Sequence, residues 1–133
     1  MIIGVPSEVK NNENRIGMTP DSVSKLTKKG HEVFFQESAG AIIGFFDQDF
    51  ISAGAKILKT PEDVYKSSEM IVKVKEPIPS EYKFLRDDLT LFTYLHLAGD
   101  PQHAKKLIDT GVTGLAYETV TADNGSRPVL APM

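Results

Sequence analysis

The chain has 133 residues, a formal net charge of −3, 41% hydrophobic and 25% charged residues, and no cysteine. That suits one globular domain, which at this size buries roughly two-thirds of its unfolded surface. It excludes disulfides, thiolate zinc sites and a cysteine nucleophile, and it leaves no basic field for nucleic acid.

"MIIGV" opens the chain as a strand, with no basic segment ahead of a long apolar run, so it does not read as a secretory signal. The longest uncharged stretches, "SAGAIIGFF" and "LTLFTYLHLAG", are too short to span a bilayer. A cytoplasmic location with no membrane partner is the expectation.

Three helix starts follow: "TPDS" at Thr19, "TPED" at Thr60 and "DPQH" at Asp100. Each has a capping side chain and then proline, whose missing N–H would have no partner in the first turn anyway. Asp21, Glu62 and Asp63 add negative charge where the helix dipole favours it. Gly30 and Gly111 stand where helices would end. Between the helices lie "HEVFF", the weaker "AKIL", then "MIVKV" and "LTLFTYL", and finally "TGLAYETV". These runs are apolar and rich in β-branched or aromatic residues. The tail "TADNGSRPVLAPM" is turn-rich, and its Asn124-Gly125 suits a hairpin turn.

Strands alternating with helices predict an α/β fold: a doubly wound, mostly parallel sheet with helices on both faces, flavodoxin-like or Rossmann-like. No G-x-G-x-x-G follows a strand and no G-x-x-x-x-G-K-[ST] occurs, so the chain carries no nucleotide fingerprint of its own.

Ligands of such sheets bind beyond the carboxyl ends of the strands. Arg15 follows the first strand, Lys75 the fourth, Tyr94 and His96 the fifth, and Tyr117 and Glu118 the sixth. Arginine offers a planar fork and lysine a point charge, a pair that suits a small carboxylate. His96 titrates near neutral pH and can exchange a proton with a substrate. Taken singly, each has a plainer role: a solvated loop arginine, a lysine guarding a strand end, a histidine satisfied by backbone. Their convergence on one edge is what favours a site. His31 reads as structural and His103 as exposed in the first turn of its helix. The three histidines lack metal-ligand spacing, so no metal is expected.

"GVPSEVKNNENRIGMTP", "AGAKI", "MIVKVKEPIPSEY", "LTLFTYLHLAGDP" and "AYETV", in this order, resemble the N-terminal catalytic domain of the alanine dehydrogenase and pyridine nucleotide transhydrogenase family. The pair "KVKEP" and "LFTYLHLA" fits the alanine dehydrogenase branch better. "RIGMTP" and the bulky "GAIIGFFDQDF" depart locally from the family's usual forms without touching Arg15, Lys75 or His96.

The resemblance implies a domain over residues 1–133 that binds L-alanine or pyruvate within an NAD-dependent oxidoreductase. It implies that His96 and Lys75 are catalytic, and that Arg15, Lys75, His96 and Tyr94 bind the substrate. It also implies that NAD is bound mainly by a Rossmann domain lying beyond Met133, that this stretch alone is inactive, and that the assembly is a homo-oligomer, a hexamer in the family. Two alternatives stand beside this reading: the equivalent domain of a transhydrogenase alpha subunit, and a non-catalytic module that binds a small anion or assembles with a partner chain.

Overall fold

The structure is a computed structural model and describes residues 1–133. Its strands are β1 (Ile2–Val5), β2 (Glu32–Gln36), β3 (Lys56–Leu58), β4 (Met70–Val72), β5 (Thr90–Thr93) and β6 (Thr113–Ala116). Its helices are α1 (Pro20–Lys28), α2 (Asp47–Ser52), α3 (Pro61–Ser67) and α4 (Pro101–Thr110), with 3-10 turns at Ala41–Ile43, Pro79–Phe84, Leu97–Gly99 and Tyr117–Thr119. The strand order is β3-β2-β1-β4-β5-β6 and every pairing is parallel. This is the order of the doubly wound Rossmann sheet rather than the flavodoxin order.

The expected caps form. Thr19 Oγ1 accepts from Ser22 N, Thr60 Oγ1 from Asp63 N, and Asp100 Oδ1 from Gln102 N and His103 N. The fourth helix, α2, was not expected. It has no proline start; instead the Asp49 carboxylate turns back to accept from Phe46 N at 2.8 Å. The last strand is shorter than "TGLAYETV" predicts, since the chain turns at Tyr117. Asn124-Gly125 does make a turn, closed by Ala122 N donating to Ser126 O, but no strands flank it.

Helices cover both faces, and the core is therefore double. Val23 of α1 and Phe50 of α2 pack with Ile3, Val5, Val33, Phe35 and Val72 on one face. Val64 and Tyr65 of α3 and Leu107 of α4 pack with Ile71, Leu91 and Leu95 on the other. The Phe35 and Phe50 rings stack with centroids 4.0 Å apart. On the α1 side the sheet leaves an apolar groove of about 620 Å³ along Ile3, Met18, Leu26, Val72 and Phe92.

Between β1 and β4 the strand order reverses. At such a switch point the loops leaving two neighbouring strands run apart and open a crevice. Here those loops are the ones that carry Arg15 and Lys75.

Candidate active site

Gly17 brings the Arg15 loop to the end of β4. A Cβ there would lie 2.6 Å from the Val72 carbonyl oxygen, so only glycine permits this backbone approach. Arg15, Lys75, Tyr94, Leu130 and Met133 then line a pocket of about 200 Å³. It has room for a small acid, and two of its walls are cationic.

Arg15 is not loose. Its Nε and Nη2 donate to the two oxygens of Glu13 at 2.9 and 2.8 Å, and its backbone N donates to Oε1 at 3.0 Å. These hydrogen bonds hold the Glu13 carboxyl at about 2, with the Lys75 charge adding to the effect. Glu13 occupies the Nε side of the guanidinium and leaves Nη1 for a ligand.

Lys75 lies over the Tyr94 ring, its Nζ 4.9 Å from the centroid. Thr93 Oγ1 donates to the Lys75 carbonyl at 2.9 Å and fixes the backbone there. Tyr94 in turn reaches His96: the hydroxyl is 3.1 Å from Nδ1. Tyr94 therefore links the cationic pocket to the imidazole. His96 itself lines a neighbouring cavity with Glu76 and Tyr82 rather than the pocket of Arg15 and Lys75.

His96 adopts φ +53, a left-handed conformation that costs a non-glycine residue roughly 1–2 kcal/mol. The strain is held by Glu118, whose carboxylate accepts from Leu95 N at 3.2 Å and from His96 N at 2.8 Å. Glu118 is thus committed to backbone. Gly99 closes the other side: a Cβ there would come within 2.1 Å of His96 Nε2.

Beneath the site lies a buried ionic cluster that the sequence reading missed. The Lys73 side chain is 0% exposed and places Nζ 3.1 Å from Glu8 and 3.0 Å from Glu81. Glu8 also accepts from Val74 N at 2.6 Å, and Tyr65 donates to Glu81 at 3.1 Å. Tyr117 donates to the Lys73 carbonyl at 2.7 Å. Burial pushes the Glu8 carboxyl up, against the pull of the Lys73 ammonium and the Val74 N–H. The cluster anchors the backbone from which Lys75 projects.

The family model for the alanine dehydrogenase/PNT N-terminal domain matches residues 4–133. The chain belongs to this family. The alanine dehydrogenase of Bacillus subtilis (strain 168) is 51% identical over 133 residues, which are all of this chain and 35% of that protein. The alanine dehydrogenase of Methanococcus maripaludis is 47% identical over the same span, 36% of its length. The chain therefore covers about a third of these relatives.

A solved L-alanine dehydrogenase superposes with a TM-score of 0.95 at 48% identity, over 99% of this chain and 36% of that one. A transhydrogenase from Sinorhizobium meliloti gives 0.81 at 25% identity, over 89% and 35%. Within the alanine dehydrogenase/PNT family, the chain is thus nearer to the alanine dehydrogenases.

The connection from β1 to α1 runs through Pro6–Thr19 and carries Glu8 and Glu13, with no glycine-rich cradle at the start of α1. His103, expected to be exposed, is 6% exposed: its ring turns inward to the Tyr82 hydroxyl, 2.7 Å from Nδ1. No helix is long and apolar enough to cross a membrane.

Proposed function

We propose that residues 1–133 are the substrate-binding and catalytic domain of an NAD-dependent alanine dehydrogenase, which converts L-alanine, NAD and water into pyruvate, ammonia and NADH. The observation that carries this is the pairing of Arg15 and Lys75 over one small pocket at the switch point, joined through Tyr94 to His96.

In this reading Arg15 and Lys75 hold the substrate carboxylate or carbonyl, and Lys75 stabilises charge that develops on the carbonyl oxygen. Its place over the Tyr94 ring keeps the ammonium in the pocket without neutralising it. Tyr94 orients the His96 ring, and His96 gives and takes the proton as nitrogen and water exchange at the substrate carbon. Glu13 holds the Arg15 guanidinium in register. The hydride acceptor is NAD, which the resemblance assigns mainly to a second domain of the longer protein. A homo-oligomeric, cytoplasmic enzyme belongs to the same proposal.

The test is alanine-dependent NADH formation by the longer protein. Hydride exchange between two nucleotides without response to alanine would instead favour a transhydrogenase.

A further inference from the structure

The loop that leaves β1 runs beside the chain beyond β4, and charged side chains tie the two together at successive steps. Glu8 accepts from Val74 N at 2.6 Å and pairs with Lys73 at 3.1 Å. Two residues further along each chain, Lys10 Nζ donates to Glu76 Oε1. Lys75 lies between the two anchored positions, Val74 and Glu76. The first tie belongs to the buried cluster. The second joins residues 66 apart in the chain, and neither of them lines the pocket of Arg15 and Lys75.

Beyond Lys10 the chain turns at once. Glu13 N donates to Lys10 O at 3.1 Å, and Asn12 at φ +61 supplies the left-handed residue of the turn. Asparagine is one of the few side chains that enter this conformation readily. The turn delivers Glu13, whose carboxylate grips the Arg15 guanidinium at 2.9 and 2.8 Å. The links are therefore continuous. Lys75 is bonded to Glu76, Glu76 is ion-paired to Lys10, the turn joins Lys10 to Glu13, and Glu13 holds Arg15. The two cations of the pocket stand at the ends of this chain of contacts. Behind Arg15, Ile16 packs on the core and Gly17 lies against the Val72 carbonyl. Ahead of Arg15, the Lys10 pair is the nearest polar anchor to another element. The Glu76 side chain is 13% exposed, against 41% for Lys10, so salt screens the pair less than a wholly exposed one. Burial pushes the Glu76 carboxyl up, but the Lys10 bond and the Lys10 and His96 charges outweigh this and hold it below the usual carboxylate range. Both partners are charged at neutral pH.

We propose that Lys10 is a positioning residue: its ion pair with Glu76 is a clasp across the switch-point crevice that sets the spacing between Arg15 and Lys75. The clasp rests on the reading of Arg15 and Lys75 as the pair that binds the substrate anion. Lys10 acts through Arg15 and lines no part of the pocket. The donors of a guanidinium are fixed in one plane, so its grip on a carboxylate is directional. A loop that swings away from β4 turns Arg15 off that direction. The loss falls on anion binding, while His96 and its Tyr94 contact stay in place on the β5 side.

The experiment is steady-state reductive amination of pyruvate by the longer protein, with NADH and ammonium saturating. Lys10→Met, Lys10→Arg, Glu76→Gln and the double variant Lys10→Met/Glu76→Gln are compared. Lys10→Met should raise the pyruvate KM about three- to tenfold and leave kcat within about twofold, the mark of lost binding rather than lost chemistry. Lys10→Arg keeps the charge and should bring KM back to within about twofold of wild type. The double variant should be no worse than the worse single one, because the two residues act as one pair. Glu76→Gln keeps the side-chain volume, should also raise KM, and carries the test where Lys10→Met does not fold. A wild-type KM in both single variants would overturn the clasp. So would losses that multiply in the double variant, or a KM in Lys10→Arg as high as in Lys10→Met. A fall in kcat that matches the rise in KM in Lys10→Met marks a general loss of structure and overturns it too. Arg15→Ala is assayed alongside: a wild-type KM there overturns the anion-binding reading itself, whereas a raised KM there beside unchanged values in the Lys10 and Glu76 variants overturns the clasp alone.

Discussion

Lys73 and Lys75 stand two residues apart beyond the end of β4 and do unrelated work. The Lys73 ammonium is sealed between Glu8 and Glu81, while Lys75 stays half-buried over the Tyr94 ring at the mouth of a pocket. One lysine anchors the backbone and the other lines the pocket.

Stability should separate the two. Lys73→Met leaves two buried carboxylates without their cation, and breaking a buried pair in this way costs about 3–5 kcal/mol. Lys75→Met removes no ion pair and should stay within about 0.5 kcal/mol of wild type. Urea denaturation of the two variants checks this. Equal midpoints would mean that the buried cluster contributes nothing to stability.

The Glu13–Arg15 clamp carries a pH signature. Glu13 falls from an ordinary 4.5 to about 2 in the folded chain. Because the folded value is depressed, the stabilisation is fully present above 4.5 and is lost as pH falls through about 2. Carbon NMR of the Glu13 carboxyl should show a midpoint near the lower value, moving back toward the upper one in Arg15→Ala. An ordinary midpoint in the unaltered chain would show that the clamp is not held.

Glu118→Ala should release the strained His96 backbone. Losing the charge-assisted bonds to the part-buried Leu95 N and the exposed His96 N costs about 1.5–3 kcal/mol of stability. With His96 free to leave its left-handed conformation, kcat should fall more than the pyruvate KM rises. A variant of Glu118 with lowered stability and unchanged kcat would separate the fold from the placement of His96.

Much of this was legible in the residues. Thr-Pro and Asp-Pro starts gave three helices, because a cap and a proline act locally and leave a local mark. Arg15, Lys75, Tyr94 and His96 could be grouped because a parallel sheet sends every strand end to one edge. The α2 helix escaped because its cap is a reversed Asp49 contact in a short aromatic segment. Lys73 escaped because its partner Glu8 lies 65 residues away, a pairing that only the fold creates. Glu13 was within reach: the spacing of two in "NENR" places a carboxylate beside the arginine. The buried His103 was misread because its partner Tyr82 belongs to another element.

The central claim is that Arg15 and Lys75 bind the substrate anion while His96 moves its proton. Steady-state kinetics of the longer protein carrying Arg15→Ala, Lys75→Ala and His96→Ala test it most directly. Loss of a charged hydrogen bond of about 1.5–3 kcal/mol should raise the pyruvate KM by roughly 10- to 150-fold in Arg15→Ala and Lys75→Ala. His96→Ala should lower kcat by about 10²–10⁴ with the smaller effect on KM. A wild-type kcat in His96→Ala, or an unchanged pyruvate KM in both cation variants, would contradict it.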